Sequence, residues 1–253
     1  MTERYPLIFD VKRTSTVDGP GVRTAVFLKG CNLDCFWCHN PEGKRAEMEY
    51  AWFAEKCLSC GACRREGLSP ELCVDLCPAQ ARKRYGARYT PDELMAVLAA
   101  DRDFYLATGG GVTFSGGECM LYPAYLAEVA SRCQAQGISV AIDTAGNVPY
   151  SHFEQVLPYT DLFLYDIKCL DPALHRRGTG CGNELILANL DRLMQTGKQT
   201  LIRVPQIPDF NEGEEVTRIC AYCADRGLAC EVLPYHRFGE DKKQALGREM
   251  LHE

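Results

Sequence analysis

Short apolar segments alternate with amphipathic segments along most of the chain. Residues 22–29, VRTAVFLK, are β-branched and apolar and end at Gly30, which predicts a buried strand. An early helix is predicted to open at Thr90, within the capping-box sequence Thr-Pro-Asp-Glu. Further strands are predicted at 112–115, 138–143, 161–168, 199–205 and 229–235, with helices at 122–136, 151–157, 184–195 and 213–226.

This alternation of strands and helices predicts an α/β fold built from βα units around a parallel sheet. About six strands are expected, fewer than the eight of a closed barrel, which indicates a partial (β/α)6 TIM-like barrel. A doubly wound sheet is the alternative, and periodicity alone does not distinguish the two.

Polar residues at the carboxyl ends of the predicted strands favour the barrel. Active sites of α/β barrels form on that face, although open sheets also place ligands at strand ends. The residues at or after these ends are Cys31, Gly116-Gly117-Glu118, Asp143, Asp166, Lys168, Arg203 and His236.

Charge and composition exclude several classes of protein. The 253 residues carry a formal charge of -6, which argues against a general nucleic-acid surface. The sequence has neither an apolar run of membrane-spanning length nor an apolar signal-peptide core at Met1–Pro6. We therefore expect a cytoplasmic protein without nucleic-acid or membrane partners.

Cysteine usage is unusual, with 15 cysteines. In a reducing cytosol, clustered cysteines more often bind metal than form disulfides. Eight fall in two tight groups, and the remainder are interpreted as small buried hydrophobic residues. That remainder consists of Cys119, Cys133, Cys169, Cys181, Cys220, Cys223 and Cys230.

The first group has the spacing C-x3-C-x2-C, at Cys31, Cys35 and Cys38, in a loop after the first predicted strand. Three thiolates can hold three irons of a four-iron cluster and leave the fourth iron open to a substrate. A zinc site with His39 as fourth ligand is the main alternative, because structural zinc requires four closed ligands. A packed trio of cysteines is a weaker alternative.

The second group lies in a charged stretch at 41–88. We interpret this stretch as an insert that divides a barrel domain into residues 1–40 and 89–253. Its cysteines are Cys57, Cys60, Cys63, Cys73 and Cys77. The C-x2-C-x2-C run is ferredoxin-like, but Gly67 stands where the fourth cysteine normally follows. We predict a second four-iron cluster on Cys57, Cys60, Cys63 and Cys77, with Cys73 as the spare; structural zinc is the alternative.

The motifs together resemble one family. The triad, with an aromatic residue before its last cysteine, is similar to the signature of the radical S-adenosylmethionine superfamily. The narrower resemblance is to glycyl radical enzyme activating enzymes, of the pyruvate formate-lyase activase type. It rests on STVDGPGVR at 15–23, CHNP at 38–41, GGGVT at 109–113, SGGE at 115–118, DTAG at 143–146, DIK at 166–168, IRV at 202–204 and LPYH at 233–236.

The resemblance implies cleavage of S-adenosylmethionine at the triad cluster and abstraction of hydrogen from a glycine of a partner enzyme. It implies that Asp18 meets the glycine loop and that Gly116, Gly117 and Glu118 receive the methionine amino group. Trp37, His39 and Asn40 would flank the cofactor. Lys168, Arg203 and His236 would contact its methionine or ribose end, and Asp143, Thr144 and Asp166 would bind a monovalent cation.

The expected partners are a glycyl radical enzyme and, as electron donor, reduced flavodoxin or ferredoxin, with this chain as a monomer. A cluster in the insert would serve as an electron relay or in partner docking. Two other functions stay open: a radical enzyme acting on a small molecule or RNA, and a non-catalytic iron–sulfur or zinc protein. Related enzymes usually continue further than Glu253, so either a last helical element is missing or the sequence is a shortened form.

Overall fold

A computed structural model describes residues 4–248. The ends of the predicted barrel domain, 1–3 and 249–253, lie outside this part. The strands are β1 Leu7–Ser15, β2 Arg23–Leu28, β3 Glu49–Trp52, β4 Arg82–Tyr85, β5 Ala87–Arg88, β6 Gly111–Gly116, β7 Ser139–Thr144, β8 Leu162–Asp166, β9 Gln199–Gln206 and β10 Ala229–Pro234. The α-helices are α1 Pro70–Asp75, α2 Pro91–Ala99, α3 Arg102–Thr108, α4 Pro123–Ala135, α5 Tyr150–Val156, α6 Pro172–Thr179, α7 Glu184–Met194, α8 Glu214–Asp225 and α9 Phe238–Ala245.

The large sheet has the strand order β10-β9-β8-β7-β6-β2-β1-β5. Six of these strands are parallel to one another, and their spatial order follows the chain without a reversal: β2, β6, β7, β8, β9 and β10. A doubly wound sheet would reverse direction at a switch point, whereas a barrel adds each strand beside the last. The prediction of a partial (β/α)6 barrel is therefore confirmed, and the doubly wound alternative is wrong.

The core lies between this sheet and the surrounding helices. Val26, Val112, Phe114 and Ile142 are completely buried within it. The helices contribute apolar faces at helical spacing, as α7 does with Ile186, Leu190 and Leu193. Full burial of each such side chain contributes about 1.5–3 kcal/mol to the free energy of folding.

The helix predicted to open at Thr90 is confirmed as α2, and its capping box is formed. The Thr90 hydroxyl accepts a hydrogen bond from the Glu93 backbone N–H at 3.2 Å, and the Glu93 carboxylate accepts one from the Thr90 N–H at 2.8 Å. Two N–H groups at the start of the helix are thereby satisfied.

Several elements were not predicted from the sequence. β1 pairs antiparallel with β2, and β5 pairs antiparallel with β1, at the edge opposite β10. β3 and β4 form a separate two-stranded sheet. A helix, α9, follows β10, so the segment beyond His236 does contain helix. Between Arg4 and Arg248, no helix combines the length and apolar character that crossing a membrane requires.

Candidate active site

A single cavity of about 1110 Å³ opens at the carboxyl ends of the parallel strands and extends along the inner face of β8, β9 and β10. Most of the predicted site residues line it: Asp18, Cys31, Cys35, Trp37, Cys38, His39, Asn40, Gly116, Gly117, Asp143, Thr144, Asp166, Lys168, Arg203 and His236. Glu118 is not among the lining residues. The predicted site residues, which are scattered over more than two hundred positions of the sequence, thus meet in one cavity.

The loop that carries the three cysteines is held by backbone hydrogen bonds to α6. The Asp34 N–H donates to the Thr179 carbonyl at 2.7 Å, and the Phe36 N–H donates to the Gly178 carbonyl at 3.1 Å. A Cβ on Gly178 would lie 2.4 Å from the ring of Phe210, so only glycine fits at this contact. These contacts fix the position of the loop relative to α6.

Trp37, in the same loop, is largely buried. Its ring lies 4.5 Å, centroid to centroid, from that of Phe210 and 4.8 Å from that of Phe36. Aromatic pairs at such distances add to the energy of burial. In this structure the larger part of the Trp37 side chain therefore packs against protein, and a smaller part faces the cavity.

The three thiols are buried enough to be protonated when no metal is bound. Burial raises the pKa of Cys31 and of Cys35 to about 12, and it also raises the pKa of Cys38. Binding of iron therefore has to displace three protons.

The three thiols share one cavity. Cys31, Cys35 and Cys38 all border it, and so does His39, the fourth ligand of the zinc alternative. A four-iron cluster takes one thiolate for each iron, so its ligands surround a volume rather than converge on one atom. A cavity bordered by all three thiols is compatible with such a cluster.

Gly116 and Gly117 allow the backbone of three segments to meet beside the triad. Gly116 has a φ of +126°, and a Cβ there would lie 2.2 Å from the Leu28 carbonyl oxygen. A Cβ on Gly117 would lie 2.3 Å from the Gly30 oxygen and 2.4 Å from the Gly43 oxygen. From the resemblance, these glycines are expected to receive the amino group of a ligand; in the structure they also make room for protein backbone.

Glu118 is completely enclosed behind the cavity wall. Its carboxylate accepts hydrogen bonds from the Thr144 hydroxyl at 2.7 Å, the Ala145 N–H at 2.9 Å and the Met120 N–H at 3.0 Å. Burial raises the pKa of Glu118 to about 7 despite these bonds. Glu118 thus contacts the cavity through Thr144, which lines it.

Charged side chains from β8 and β9 and the segment after β8 line the same cavity as the triad. The Lys168 ammonium lies 2.6 Å from a carboxylate oxygen of Asp166, and the Arg203 guanidinium lies 3.7 Å from that of Asp143. The Lys168 and Arg203 side chains are only 9% and 10% exposed, so the ion pairs that they form are not on the protein surface. Burial lowers the pKa of Lys168, but Asp166 and the thiols outweigh it, so the pKa is raised overall.

Asp143 and Asp166 lie close enough to repel one another. Burial raises the pKa of Asp143 to about 6, and the charge of Asp166 adds to the increase, while Arg203 opposes it. The Asp143 carboxylate also accepts a hydrogen bond from the Ser115 hydroxyl at 2.7 Å. One cation near both carboxylates would relieve this repulsion.

Imidazole and aromatic rings form the rim near β10. The rings of His236 and Phe238 are stacked 5.5 Å apart, and those of His39 and His236 lie 6.2 Å apart. His39 Nε2 is buried and has no hydrogen-bond partner within residues 4–248. Burial lowers the pKa of His39, so the ring is neutral at physiological pH.

Buried polar residues that the sequence analysis did not identify hold the segment around Lys168. The Glu215 carboxylate accepts hydrogen bonds from the Cys169 thiol at 3.1 Å and the Asp171 N–H at 3.2 Å. The Asn183 amide donates to the carbonyls of Cys169 at 2.8 Å and Leu170 at 2.9 Å. No sequence signal distinguishes these residues from surface polar ones, because each contact is made across elements distant in the chain.

The insert contains a second, smaller concavity of about 30 Å³. Cys57, Cys60, Cys63 and Cys77 line it, and Cys73 does not. Cys73 is buried beside it, with its Sγ 3.6 Å from the Cys63 carbonyl oxygen. Burial acts to raise the pKa of Cys77, but hydrogen bonds from backbone N–H groups outweigh it and the pKa is lowered. Two arginines, Arg64 and Arg82, also line this concavity.

Comparison with known proteins adds independent information. The family model described as "Radical SAM superfamily" matches residues 25–223. The isethionate sulfite-lyase activating enzyme of Nitratidesulfovibrio vulgaris (strain Hildenborough) is 36% identical to this chain, over 96% of this chain and 88% of that protein. The choline trimethylamine-lyase activating enzyme of Oleidesulfovibrio alaskensis is 37% identical, over 98% of this chain and 89% of that protein.

A solved structure agrees with the fold. The crystal structure of Streptococcus suis SuiB bound to the precursor peptide SuiA has a TM-score of 0.57 to this chain and 14% sequence identity. The match covers 87% of this chain and 40% of SuiB. At this identity the likeness concerns the arrangement of the backbone.

Proposed function

Since the chain belongs to the radical S-adenosylmethionine superfamily and, within it, to the glycyl radical enzyme activating enzymes, we propose that its large cavity is where it cleaves S-adenosylmethionine and activates a partner. The observation that carries the proposal is that three thiols and two buried cations, Lys168 and Arg203, share one cavity. A bound group with a carboxylate and a sulfur next to the irons fits such a set of side chains.

Cys31, Cys35 and Cys38 would hold the cluster, which the family implies together with S-adenosylmethionine. When bound, the cluster would supply the electron for reductive cleavage of the cofactor's carbon–sulfur bond, the chemistry by which enzymes of this family generate a radical on a glycine of a partner. The protein's part is to bind, orient and enclose these groups.

The remaining cavity residues are proposed to position the cofactor. Lys168 and Arg203, both charged and nearly buried, attract its carboxylate more strongly than exposed cations would. Gly116 and Gly117 are proposed to receive the amino group, with Glu118 behind them. His236 and His39 offer ring nitrogens and flat faces to the nucleoside end, together with Trp37 and Asn40.

The segment around Asp18 is proposed to receive the glycine loop of the partner. Three residues fix its backbone: Thr113 donates to the Asp18 carbonyl at 2.6 Å, Arg203 to the Val17 carbonyl at 2.6 Å, and Arg23 to the Pro20 carbonyl at 3.3 Å. The side chain of Val17 is nevertheless 64% exposed at the cavity mouth. A rigid backbone with exposed side chains suits the docking of an extended segment.

Asp143, Thr144 and Asp166 are proposed as ligands of a monovalent cation. The repulsion between the two carboxylates supports this, and oxygen ligands suit hard cations. Turnover should fall when potassium and sodium are replaced by a bulky organic cation at equal ionic strength.

The insert is proposed to hold a second four-iron cluster on Cys57, Cys60, Cys63 and Cys77. The donor is proposed to be reduced flavodoxin or ferredoxin, and the chain is proposed to act as a cytoplasmic monomer.

The test is anaerobic formation of 5′-deoxyadenosine after iron–sulfur reconstitution, with a strong reductant. The parent should cleave the cofactor, Cys35→Ala should not, and Cys220→Ala, a half-buried cysteine on α8, should behave as the parent. A glycine-centred radical signal on a candidate partner then establishes the second half-reaction. If the parent carries a full iron load and does not cleave the cofactor, the proposal is wrong.

A further inference from the structure

Three cysteines meet on the outer side of the barrel, between α8 and β10, where the active-site cavity does not reach. Cys220 and Cys223 are one helical turn apart on α8, and Cys230 lies on β10. The Sγ atoms of Cys220 and Cys230 are 3.9 Å apart. Cys220 and Cys230 are partly exposed, whereas Cys223 is completely buried.

This arrangement differs from the sequence interpretation of these cysteines as buried hydrophobic residues. Cys223 has that environment, and Cys230 is partly buried against the main apolar core. Cys220 is half-buried and, among the described residues, does not belong to any apolar cluster. Among the described residues, no three His, Cys, Asp or Glu side chains between α8 and β10 are arranged to bind a metal ion. The remaining chemistry for a close pair of thiols is oxidation to a disulfide.

We propose that Cys220 and Cys230 form a reversible thiol–disulfide site that links α8 to β10. The two Sγ atoms are 3.9 Å apart, and a disulfide bond of about 2.05 Å requires the two side chains to move toward each other. The link would close a short loop through the turn between the helix and the strand.

The chemistry requires a low-molecular-weight disulfide, such as oxidised glutathione, as the oxidant. The Cys220 thiolate attacks one sulfur of that disulfide, forms a mixed disulfide and releases one small thiol. The Cys230 thiol then loses its proton and attacks the Cys220 sulfur, which releases the second small thiol. Two protein thiols are oxidised by two electrons, and one small disulfide is reduced to two thiols.

The order of attack follows from the environment of Cys230. Burial, with the two neighbouring cysteines, raises the pKa of Cys230 to about 12, so this residue is a poor first nucleophile. Once Cys220 carries the mixed disulfide, the second step occurs within the protein and benefits from the high local concentration of the partner sulfur.

The link would act on the cavity through β10. β10 is the edge strand of the sheet, and β9 is its sole strand neighbour among the described residues. The next residue after Cys230 is Glu231, whose carboxylate lies 3.7 Å from the Arg203 guanidinium, and both residues line the cavity. Oxidation would therefore fix the position of the strand that carries one wall of the site.

The experiment uses the reconstituted protein under anaerobic conditions, where the iron clusters stay intact. The protein is treated with oxidised glutathione, alkylated and digested with trypsin. Cys220 and Cys223 then lie on the peptide 219–226 and Cys230 lies on 227–237. We expect a cross-linked pair of these peptides and a fall of about tenfold in alkylation of Cys220 and Cys230, both reversed by dithiothreitol.

Two variants assign the bond. Cys223→Ser should retain the cross-link, and Cys220→Ser should abolish it. The inference is wrong if the parent acquires only glutathione adducts, if it acquires no modification, or if Cys220→Ser still cross-links through Cys223. Because the readout is the bond itself, the result does not depend on cofactor cleavage.

Discussion

The side-chain amide of Asn211 donates a hydrogen bond of 2.7 Å to the backbone carbonyl of Lys168. The same amide donates to the Pro205 carbonyl at 2.7 Å, and its oxygen accepts from the Ile207 N–H at 2.7 Å. Asn211 is completely buried. One side chain thus ties the end of β8 to the end of β9, at the two points where Lys168 and Pro205 enter the cavity.

Asn211→Asp should raise the KM for S-adenosylmethionine about tenfold, with a smaller effect on kcat. The carboxylate can still accept from Ile207 but cannot donate to Lys168 or Pro205, and loss of such bonds costs about 1–3 kcal/mol. Steady-state kinetics of cofactor cleavage measures the change.

Asn189→Asp is the matched control for this prediction. Asn189 is equally buried and donates to the Gly146 and Val148 carbonyls at 2.8 and 2.7 Å, but it does not contact the Lys168 segment. Both variants should lose stability, whereas only Asn211→Asp should change KM. Equal KM values in the two variants would show that Asn211 has no positioning role.

Glu118 should make the metal-free protein less stable as the pH rises. Its pKa is about 7 in the folded protein against an ordinary value of 4.5, so the folded state holds the proton more tightly. This contribution is fully present below about pH 4.5 and is lost as the pH rises through about 7, at a cost of about 3 kcal/mol.

Glu118→Gln should remove that part of the pH dependence, as measured by urea unfolding at several pH values. Asp143 acts in the same direction, because its pKa is raised from 3.8 to about 6, and its share should persist in the variant. The prediction is wrong if the free energy of unfolding changes with pH in the same way for the parent and for Glu118→Gln between pH 5 and 8. The buried Glu118 carboxylate would then not contribute to the pH dependence of stability.

Gly117→Ala should destabilise the protein by about 2–4 kcal/mol, since a Cβ would overlap two carbonyl oxygens that cannot move independently. Gly137→Ala is the control: Gly137 has a φ of +69° but nothing within 4 Å of the added Cβ. It should cost about 1 kcal/mol, from backbone conformation alone. Thermal unfolding of the two variants distinguishes close packing from conformational strain.

Cys77→Ser and Cys73→Ser should differ in iron content. Cys77 lines the concavity of the insert and Cys73 does not, so the first substitution should remove about four irons per chain and the second should remove none. Iron and sulfide analysis after reconstitution provides the measurement. A loss of iron in Cys73→Ser with retention in Cys77→Ser would reverse the ligand assignment.

Much of the architecture was predictable because it depends on local patterns. The strand predicted at 22–29 is β2, Arg23–Leu28, and Thr90 caps α2, as their neighbours in sequence dictate. β1 was not predicted, since its polar residues Asp10, Lys12 and Arg13 interrupt the apolar pattern along its exposed side. Its pairing with β2 is decided by tertiary contacts that periodicity does not report.

The site was predictable to a similar extent. The residues at strand ends were brought together as expected, because parallel strands present their carboxyl ends on one face. The environment of Glu118 and the contacts of Asn211 could not be predicted, because hydrogen bonding depends on partners from other elements. Whether a polar residue is buried, and hence its pKa, is set only once those elements are packed.

The hydrogen bonds from Asp34 and Phe36 to the last turn of α6 couple the triad loop to a helix that carries none of the predicted site residues. A substitution that displaces α6 would also move the backbone between the cysteines, because the acceptor carbonyls belong to that helix. A variant altered in α6 alone would thus lose iron binding while every recognisable motif of the sequence stays intact.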